Sequence, residues 1–270
     1  MNYDADKSDR IMAQLKMDLA NGRLKPAMQL LRHAEAGGGV RGGGAMIKDL
    51  RAAVGEAPVA DLVRAFAEEA CPYCRAGREQ CEDCGGQGYY DDTRICRSCA
   101  GLGLQRCPFC NGTSFAGYDF VPKGLRPAAM NHRLHFAKEQ IAELGRPGTP
   151  RHAGARDIAR RILSLDRCRG ILANAVEQVR LSKTGAPGAG YSAAERTKIE
   201  KECRRDNGVA EAAIRRLLVS LGEHFARKAE RPNQDADSRA LLAHRAKAFA
   251  GLGRGTDFGD SVLRTPAALK

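Results

Sequence analysis

The stretch CPYCRAGREQCEDCGGQGYYDDTRICRSCAGLGLQRCPFC, from Cys71 to Cys110, has the strongest influence on the expected fold. It contains eight of the ten cysteines as four C-x-x-C pairs, namely Cys71/Cys74, Cys81/Cys84, Cys96/Cys99 and Cys107/Cys110. Each pair places two sulfur atoms on one tight turn, and two such turns supply the four thiolates of a tetrahedral zinc site. The eight cysteines of this cysteine stretch (residues 71–110) therefore predict two structural Zn²⁺ ions per chain.

Glycines follow two of the pairs closely, in C-E-D-C-G-G-Q-G (residues 81–88) and C-R-S-C-A-G-L-G (residues 96–103). Glycine adopts positive φ at no steric cost, so we expect backbone N–H groups after the turn to point at the thiolates. The first and fourth pairs keep this pattern only in part, since Gly77 follows Cys74 at a different offset and the fourth pair keeps only Gly112.

A disulfide framework and a catalytic zinc site are the alternatives to structural zinc. Nothing at the N-terminus resembles a secretory signal peptide, and paired C-x-x-C turns have metal-ligand spacing, which argues against disulfides. Catalytic zinc keeps an open coordination position, and no His lies among the pairs to suggest one. The six His are scattered and none lies beside a nucleophile motif, so we expect a protein that is not an enzyme.

Reduced thiols and metal-binding turns indicate a reducing cytosol. The chain has no run of eighteen apolar residues, so neither a transmembrane helix nor a membrane partner is expected. Aromatic residues are 5% of the chain and Trp is absent, which favours small helical units over one large sheet-based core.

Positive charge is concentrated downstream of the cysteines. The chain has a formal net charge of +12, and residues 123–231 hold 23 Lys and Arg against 12 Asp and Glu, a net +11. Such a concentration favours a polyanionic partner, and double-stranded DNA is the first candidate. The alternative is a solvated basic helix surface.

The cysteine stretch itself is not basic, since it holds five Arg and five acidic residues. Each Zn²⁺ bound by four thiolates adds a formal charge of about −2, so two ions bring the stretch to about −4. A surface of that sign binds phosphate poorly. We therefore expect it to be a scaffold or a protein-binding surface, with DNA bound elsewhere.

The rest of the chain has the apolar spacing of amphipathic helices, so the expected fold is mostly α, with small helical domains around a two-zinc module. Four segments are distinguished. They are residues 1–44 with N-terminal helices and a Gly-rich linker, 45–122 with a helical lead-in and the zinc module, 123–231 as a basic helical domain, and 232–270 as a tail with one short helix.

Residues 192–228 have the pattern of two helices joined by a short turn. Ser192 and Glu195 form a capping box at the start, and Asp206-Asn207-Gly208 are expected to form the turn. The pattern is either a helix-turn-helix or a plain helical hairpin. A helix-turn-helix places Cys203, Val209, Ile214 and Leu217 inside. Its candidate DNA-binding residues are Arg204, Arg205, Asn207, Arg215 and Arg216.

The four cysteine pairs with their glycines resemble the cysteine-rich domain of DnaJ-type chaperones. In that fold the first and fourth repeats bind one zinc ion, and the second and third bind the other. The resemblance implies one site formed by Cys71, Cys74, Cys107 and Cys110, and another formed by Cys81, Cys84, Cys96 and Cys99. The loops between the pairs are shorter than is usual in that family, and the chain lacks the His-Pro-Asp of a J-domain.

A second resemblance covers about residues 57–103 and 191–221. The sequence L-V-R-A-F-A-E-E-A-C (residues 62–71), which leads into the second and third pairs, and E-C-R-R-D-N-G-V-A-E-A-A-I-R-R-L (residues 202–217) are similar to late-gene antitermination proteins of lambdoid phages, the Q family. The family carries one zinc ion between two knuckles, so the additional pairs here are a departure toward the DnaJ pattern. The resemblance favours the helix-turn-helix.

The Q-family resemblance implies a zinc-containing protein that binds DNA near a late promoter, engages bacterial RNA polymerase and promotes read-through of terminators. The alternatives are a stand-alone zinc-module chaperone or holdase, and a repressor-like DNA-binding protein that does not contact polymerase. A holdase would expose apolar surface around Tyr73, Tyr89, Tyr90 and Phe109.

Overall fold

The computed structural model describes residues 5–36, 43–91, 94–146, 154–181, 191–255, 258 and 261–270. Within these residues the chain is mostly α-helical, as predicted, with one two-stranded antiparallel ribbon. The helices are α1 (Ala5–Ala20), α2 (Leu24–Ala36), α3 (Gly43–Val54), α4 (Glu56–Glu68), α5 (Arg126–Leu144), α6 (Ala155–Leu181), α7 (Ala193–Ala229) and α8 (Ala236–Arg254). The strands are β1 (Arg78–Gln80) and β2 (Leu104–Arg106), with Glu79 opposite Gln105.

The described helices include none whose length and hydropathy suit a membrane-spanning segment. The predicted Gly-rich linker falls mainly on residues 37–42, which lie outside the described part of the chain, and α3 begins at Gly43.

The chain divides into two compact units, and α5, α6 and α7 each contribute to both. The first unit comprises Met1–Pro72, Phe115–His135 and Glu177–Thr197, and the second comprises Tyr73–Ser114, Phe136–Val176 and Lys198–Lys270. The division of the sequence into four segments stays a prediction.

In the first unit, α1–α4 pack together through one apolar face each. Met28, Leu31 and Ala34 of α2 are buried, as their spacing along the helix predicts. On α4 the buried face includes Leu62 and Phe66, both fully enclosed. Packing of this face fixes the position of the C-terminal end of α4, which lies just before Cys71.

Arg133 of α5 caps the C-terminal end of α4. Its Nε donates to the carbonyl oxygen of Ala67 at 2.7 Å, and its guanidinium lies over the rings of Phe115 and Tyr118 at 5.0 and 4.7 Å. The last turn of a helix has unpaired carbonyl groups, so this contact satisfies one of them and also stacks on aromatic rings. Ala70 then pairs with Phe115 in an antiparallel bridge, which holds the two ends of the cysteine stretch together.

In the second unit, the β1–β2 ribbon rests on α6 through one buried carboxylate. The oxygens of Asp166 accept hydrogen bonds from Arg78 Nη2 at 2.7 Å and Arg106 Nη2 at 2.5 Å, and Arg169 of α6 lies 3.6 Å away. Burial alone would raise the pKa of Asp166, but Arg78 and Arg106, helped by Arg169, lower it to about 2. The carboxylate is therefore charged at neutral pH and holds both strands.

The fourth cysteine pair lies directly against α6. A Cβ at Gly170 would be 2.3 Å from the carbonyl oxygen of Asn111, so only glycine allows this approach. Asn111 Nδ2 also donates to Asn174 Oδ1 at 3.2 Å. These contacts fix the position of Cys110.

The second and third cysteine pairs lie against α8. A Cβ at Gly101 would be 2.9 Å from the ring of Phe249, and that ring also stacks on Phe225 of α7 at 5.6 Å. At Gly222 of α7 a Cβ would be 2.8 Å from the carbonyl oxygen of Ala246 of α8. The two helices therefore approach closely and together support this part of the cysteine stretch.

The helix-turn-helix prediction is wrong. α7 continues without a break through Asp206, Asn207 and Gly208, which were expected to form the turn. Its buried positions keep the helical period across this point, at Cys203, Asn207, Ala210, Ile214, Leu217 and Leu221. A reversal at Gly208 would divide this buried face, so packing along the whole helix outweighs the local turn preference of Asn-Gly.

Other expectations for α7 are confirmed in part. The Glu195 N–H donates to Ser192 Oγ at 3.2 Å, and the Ser192 N–H donates to the Glu195 carboxylate at 2.7 Å, so the capping box is confirmed. Cys203, Ile214 and Leu217 are buried as predicted. Val209, expected inside, is 47% exposed, because the straight helix turns it away from the buried face.

Candidate metal centres and a basic helix face

Three of the four C-x-x-C pairs are followed directly by a residue with left-handed backbone. These residues are Gly85 (φ 56°), Ala100 (φ 52°) and Asn111 (φ 53°). The predicted positive φ after the cysteines is therefore confirmed, and two of the pairs achieve it without glycine at that position.

The left-handed turn directs backbone N–H groups at sulfur. Gly88 N–H donates to Cys84 Sγ at 3.2 Å, and Gly103 N–H donates to Cys99 Sγ at 3.2 Å. Such hydrogen bonds stabilise a thiolate, which is the form of cysteine that binds metal. This outcome was expected from the glycine pattern.

The eight cysteines form two clusters, and within each cluster the four sulfur atoms lie within 4.8 Å of one another. The inner site consists of Cys81, Cys84, Cys96 and Cys99, and the outer site consists of Cys71, Cys74, Cys107 and Cys110. This is the grouping implied by the DnaJ resemblance, with the first and fourth pairs together and the second and third together.

The sulfur–sulfur distances fit a tetrahedral metal ion. They are 3.9 Å for Cys81–Cys96, 3.8 Å for Cys84–Cys99 and 3.7 Å for Cys74–Cys110. Four sulfurs at the usual Zn–S distance of about 2.3 Å are about 3.8 Å apart. A disulfide requires about 2.05 Å, and all ten cysteines are free. Each cluster therefore fits one metal ion and has the donor set typical of structural zinc.

The two remaining cysteines do not take part. Burial raises the pKa of both Cys168 and Cys203 to about 12, so each is a neutral thiol at pH 7 and serves as a small core residue, as predicted for Cys203. Cys96 of the inner site differs from these two cysteines in the direction of its pKa shift. Burial opposes its ionisation, yet hydrogen bonds from the backbone of Cys99 and the side chain of Tyr90 lower its pKa to about 7.

Two of the five candidate DNA-binding residues are directed inward. Asn207 is 6% exposed and accepts a hydrogen bond from Arg169 Nε at 3.0 Å. Arg215 is paired with Glu211 at 2.8 Å and lies over the ring of Phe258 at 4.3 Å. The continuous helix therefore gives both side chains partners within the second unit, and their assignment as DNA contacts stays a prediction.

The other three candidates are exposed. Arg204 pairs with Glu200 at 3.5 Å, and Arg205 pairs with Asp206 at 2.9 Å. Arg216 donates to the carbonyl oxygen of Gly145 at 2.7 Å and remains exposed. Their guanidinium groups stay at the surface of α7.

Two lysines lie on the same side of the helix as Arg205 and Arg216. Exposed residues recur along α7 at Lys198, Lys201, Arg205, Gly208, Val209, Ala212 and Arg216, and we call this stripe the basic face. At 100° per residue these positions fall within about a quarter to a third of the helix circumference. None of the exposed residues of α7 between Lys198 and Arg216 is acidic.

Lys198 and Lys201 were missed because the predicted turn placed them on a different helix from Arg216. Their spacing carried the signal, since 198, 201, 205, 212 and 216 lie on one face of an uninterrupted helix. Arg133 and Arg169, which hold the fold together, were missed for a different reason, because in the sequence they were counted only as positive charge.

Comparison of the chain with known protein families, with curated proteins and with solved structures gave no match.

Proposed function

We propose that this protein is a zinc-containing, DNA-binding transcription antitermination factor, which engages RNA polymerase at a late promoter and promotes read-through of terminators. The observation that carries the proposal is the basic face of α7. The similarity of residues 57–103 and 191–221 to the Q family supports it, although the helix-turn-helix implied by that similarity is absent from α7. The proposed role is binding, without catalysis.

The basic face suits DNA because nearby carboxylates neutralise its charge only in part. Asp206 pairs with Arg205 of the face at 2.9 Å, whereas Glu200 pairs with Arg204 at 3.5 Å and Glu202 pairs with Lys138 at 2.7 Å. From Lys198 to Arg216 the face is about 27 Å long, at 1.5 Å per residue. It is therefore long enough to contact phosphates on both sides of a major groove, which is about 12 Å wide.

Small residues in the middle of the face favour close approach. A Cβ at Gly208 would meet no atom within 4 Å, so the surface there is open, and Ala212 adds only a methyl group. Cations lie at both ends of the face, and the residues between Arg205 and Arg216 (Gly208, Val209 and Ala212) have short side chains, so the helix can lie against a phosphate backbone. We therefore assign the DNA contacts mainly to phosphates.

We propose Zn²⁺ as the metal of both the inner and the outer site. Bound zinc would cross-link chain segments that are distant in sequence. It would thus supply stability that the cysteine stretch lacks, since its described residues include only two strands of three residues each. Because each ion with four thiolates carries a charge of about −2, the cysteine stretch repels phosphate. This supports a division of roles in which α7 binds DNA and the cysteine stretch meets a protein.

DNA binding is tested by fluorescence anisotropy with mixed-sequence duplex DNA between about 50 and 200 mM salt. Lys201→Ala/Arg205→Ala removes two phosphate contacts, so the slope of log affinity against log salt should fall by about 2. The matched control, Arg239→Ala/Lys247→Ala, removes two exposed cations from α8 and should leave the slope unchanged. Equal slopes for wild type and the α7 variant would remove the assignment of DNA to the basic face.

Antitermination is tested by run-off transcription with bacterial RNA polymerase, on a template that carries the late promoter of its own genome followed by a terminator. We expect transcripts beyond the terminator only when the protein is present, and fewer with Lys201→Ala/Arg205→Ala. Read-through that does not respond to the protein would refute the function.

A zinc-module holdase is the second candidate, favoured by the exposure of Tyr73 and Phe109, at 56% and 66%. It predicts that the protein suppresses aggregation of a chemically unfolded client protein, and that this activity is independent of the basic face. Suppression at equimolar protein together with no effect on termination would favour this candidate.

A further inference from the structure

The two metal sites present different residues to their surroundings. In each C-x-x-C pair the two residues between the cysteines form the tip of the turn. The outer-site tips are Pro72-Tyr73 and Pro108-Phe109, whereas the inner-site tips are Glu82-Asp83 and Arg97-Ser98. One site therefore carries two aromatic tips and the other carries two polar tips.

The aromatic tips form an ordered pair at the surface. The rings of Tyr73 and Phe109 stack with centroids 4.3 Å apart and planes 30° apart. They remain 56% and 66% exposed, and Phe109 is the most exposed large apolar side chain among the described residues. Keeping two apolar rings in water costs free energy that packing inside a core would recover.

At the inner site this chain's own residues contact the tips, although Glu82, Asp83 and Arg97 stay exposed. Ser98 Oγ donates to the Asp83 carboxylate, which joins the two tips, and Val262 N–H of the C-terminal segment donates to the carbonyl oxygen of Ser98 at 2.7 Å. Arg245 of α8 lies over the Tyr89 ring beside this site at 4.0 Å. The stacked rings of the outer site are instead presented to solvent.

The charges around the outer site favour a protein over a nucleic acid. Four thiolates with one Zn²⁺ would carry a charge of about −2 at the cysteines that flank the two rings. The two arginines of the ribbon, Arg78 and Arg106, are bound to Asp166 and are not available for phosphate, and the exposed Arg75 beside Cys74 offsets the negative charge only in part. Apolar rings above a negative centre match an aliphatic segment flanked by Lys or Arg, because a cation also binds favourably to an aromatic face.

We propose that the stacked pair of Tyr73 and Phe109 is the contact through which this chain docks on a partner protein, and that the partner presents an aliphatic segment next to a basic residue. The inference rests on the proposed function, which names RNA polymerase as that partner. Aromatic side chains that pack into a partner at the centre of an interface contribute most of its affinity. The rings are already stacked in the free chain, so little conformational freedom is lost on docking.

The test uses the full chain and immobilised, purified bacterial RNA polymerase, with affinity measured by biolayer interferometry. Tyr73→Ser/Phe109→Ser should weaken binding about 30-fold or more. Glu82→Ser/Arg97→Ser, which changes two exposed inner-site tips without changing net charge, should bind within about twofold of wild type. Native mass spectrometry should find the same metal content in all three proteins, which separates loss of contact from loss of fold.

Each other result overturns the inference. If the wild-type protein and the tip variant bind polymerase equally well, the aromatic pair has no docking role, and the proposed function is unaffected. If the wild-type protein does not bind polymerase, both the docking role and the proposed function are refuted. Loss of single-stranded DNA affinity in the tip variant, with polymerase binding unchanged, would make a nucleic acid the occupant. A wild-type dimer that the tip variant abolishes in sedimentation would make a second copy the occupant.

Discussion

The cysteine stretch and helix α7 maintain their structures by different means. The stretch has two strands of three residues, and its path is set by eight thiols, left-handed turns and the buried carboxylate of Asp166. α7 has 37 residues and is held by one long apolar face. A small change in the stretch or at its anchor should therefore lower the free energy of unfolding strongly. Changes on the exposed side of α7 should leave the free energy of unfolding unchanged or raise it.

The largest effect is expected at Asp166. Asp166→Asn leaves Arg78 and Arg106 buried without their shared anion, so the free energy of unfolding should fall by about 3–5 kcal/mol, as measured by urea denaturation at fixed zinc concentration. Asp157→Asn, at an exposed ion pair on the same helix, should change it by less than about 1 kcal/mol. Similar effects from the two variants would show that this carboxylate does not anchor the ribbon.

The next effect is expected where the inner site meets α8. Gly101→Ala places a Cβ 2.9 Å from the Phe249 ring at a residue with φ of +77°, which should lower the free energy of unfolding by about 2–4 kcal/mol. Gly85→Ala has left-handed backbone in the same site but open space around it, so it should cost only about 1–2 kcal/mol. Thermal denaturation of the two variants measures the difference, and equal losses would mean that α8 does not pack on this site as described.

The smallest effect should have the opposite sign. Gly208 lies on the exposed side of α7 with open space around it, so Gly208→Ala should raise the free energy of unfolding by about 0.5–1 kcal/mol. Gly222→Ala on the same helix should instead destabilise, since its Cβ would lie 2.8 Å from the carbonyl oxygen of Ala246. If Gly208→Ala instead destabilises the protein, the continuous helix is contradicted and a turn at Gly208 is favoured.

The two four-cysteine clusters could be predicted from the sequence because they depend on few residues with fixed spacing. The C-x-x-C pairs identified all eight thiols, and the DnaJ resemblance supplied their grouping. Local signals also placed α2 and α4, whose apolar residues recur at the helical period.

The course of α7 could not be predicted in the same way, because it depends on contacts far away in sequence. Asp206-Asn207-Gly208 favours a turn locally, but Asn207 is buried against Arg169, 38 residues earlier. Charge counting was limited for a related reason. Arg133 and Arg169 contribute to the basic excess, yet they are 3% and 0% exposed and hold the fold together.

The structure of the cysteine stretch, and its contrast with α7, depends on how the four cysteine pairs are grouped. One measurement tests this grouping directly. Native mass spectrometry counts the zinc ions bound to two variants that each lose four cysteines. The first changes Cys71, Cys74, Cys107 and Cys110 to Ser, and the second changes Cys71, Cys74, Cys81 and Cys84 to Ser. The first should keep one zinc ion because the inner site is intact. The second should keep none because each site loses two of its four ligands. No ion in the first variant, or one ion in the second, would contradict the grouping and with it the separate inner and outer sites.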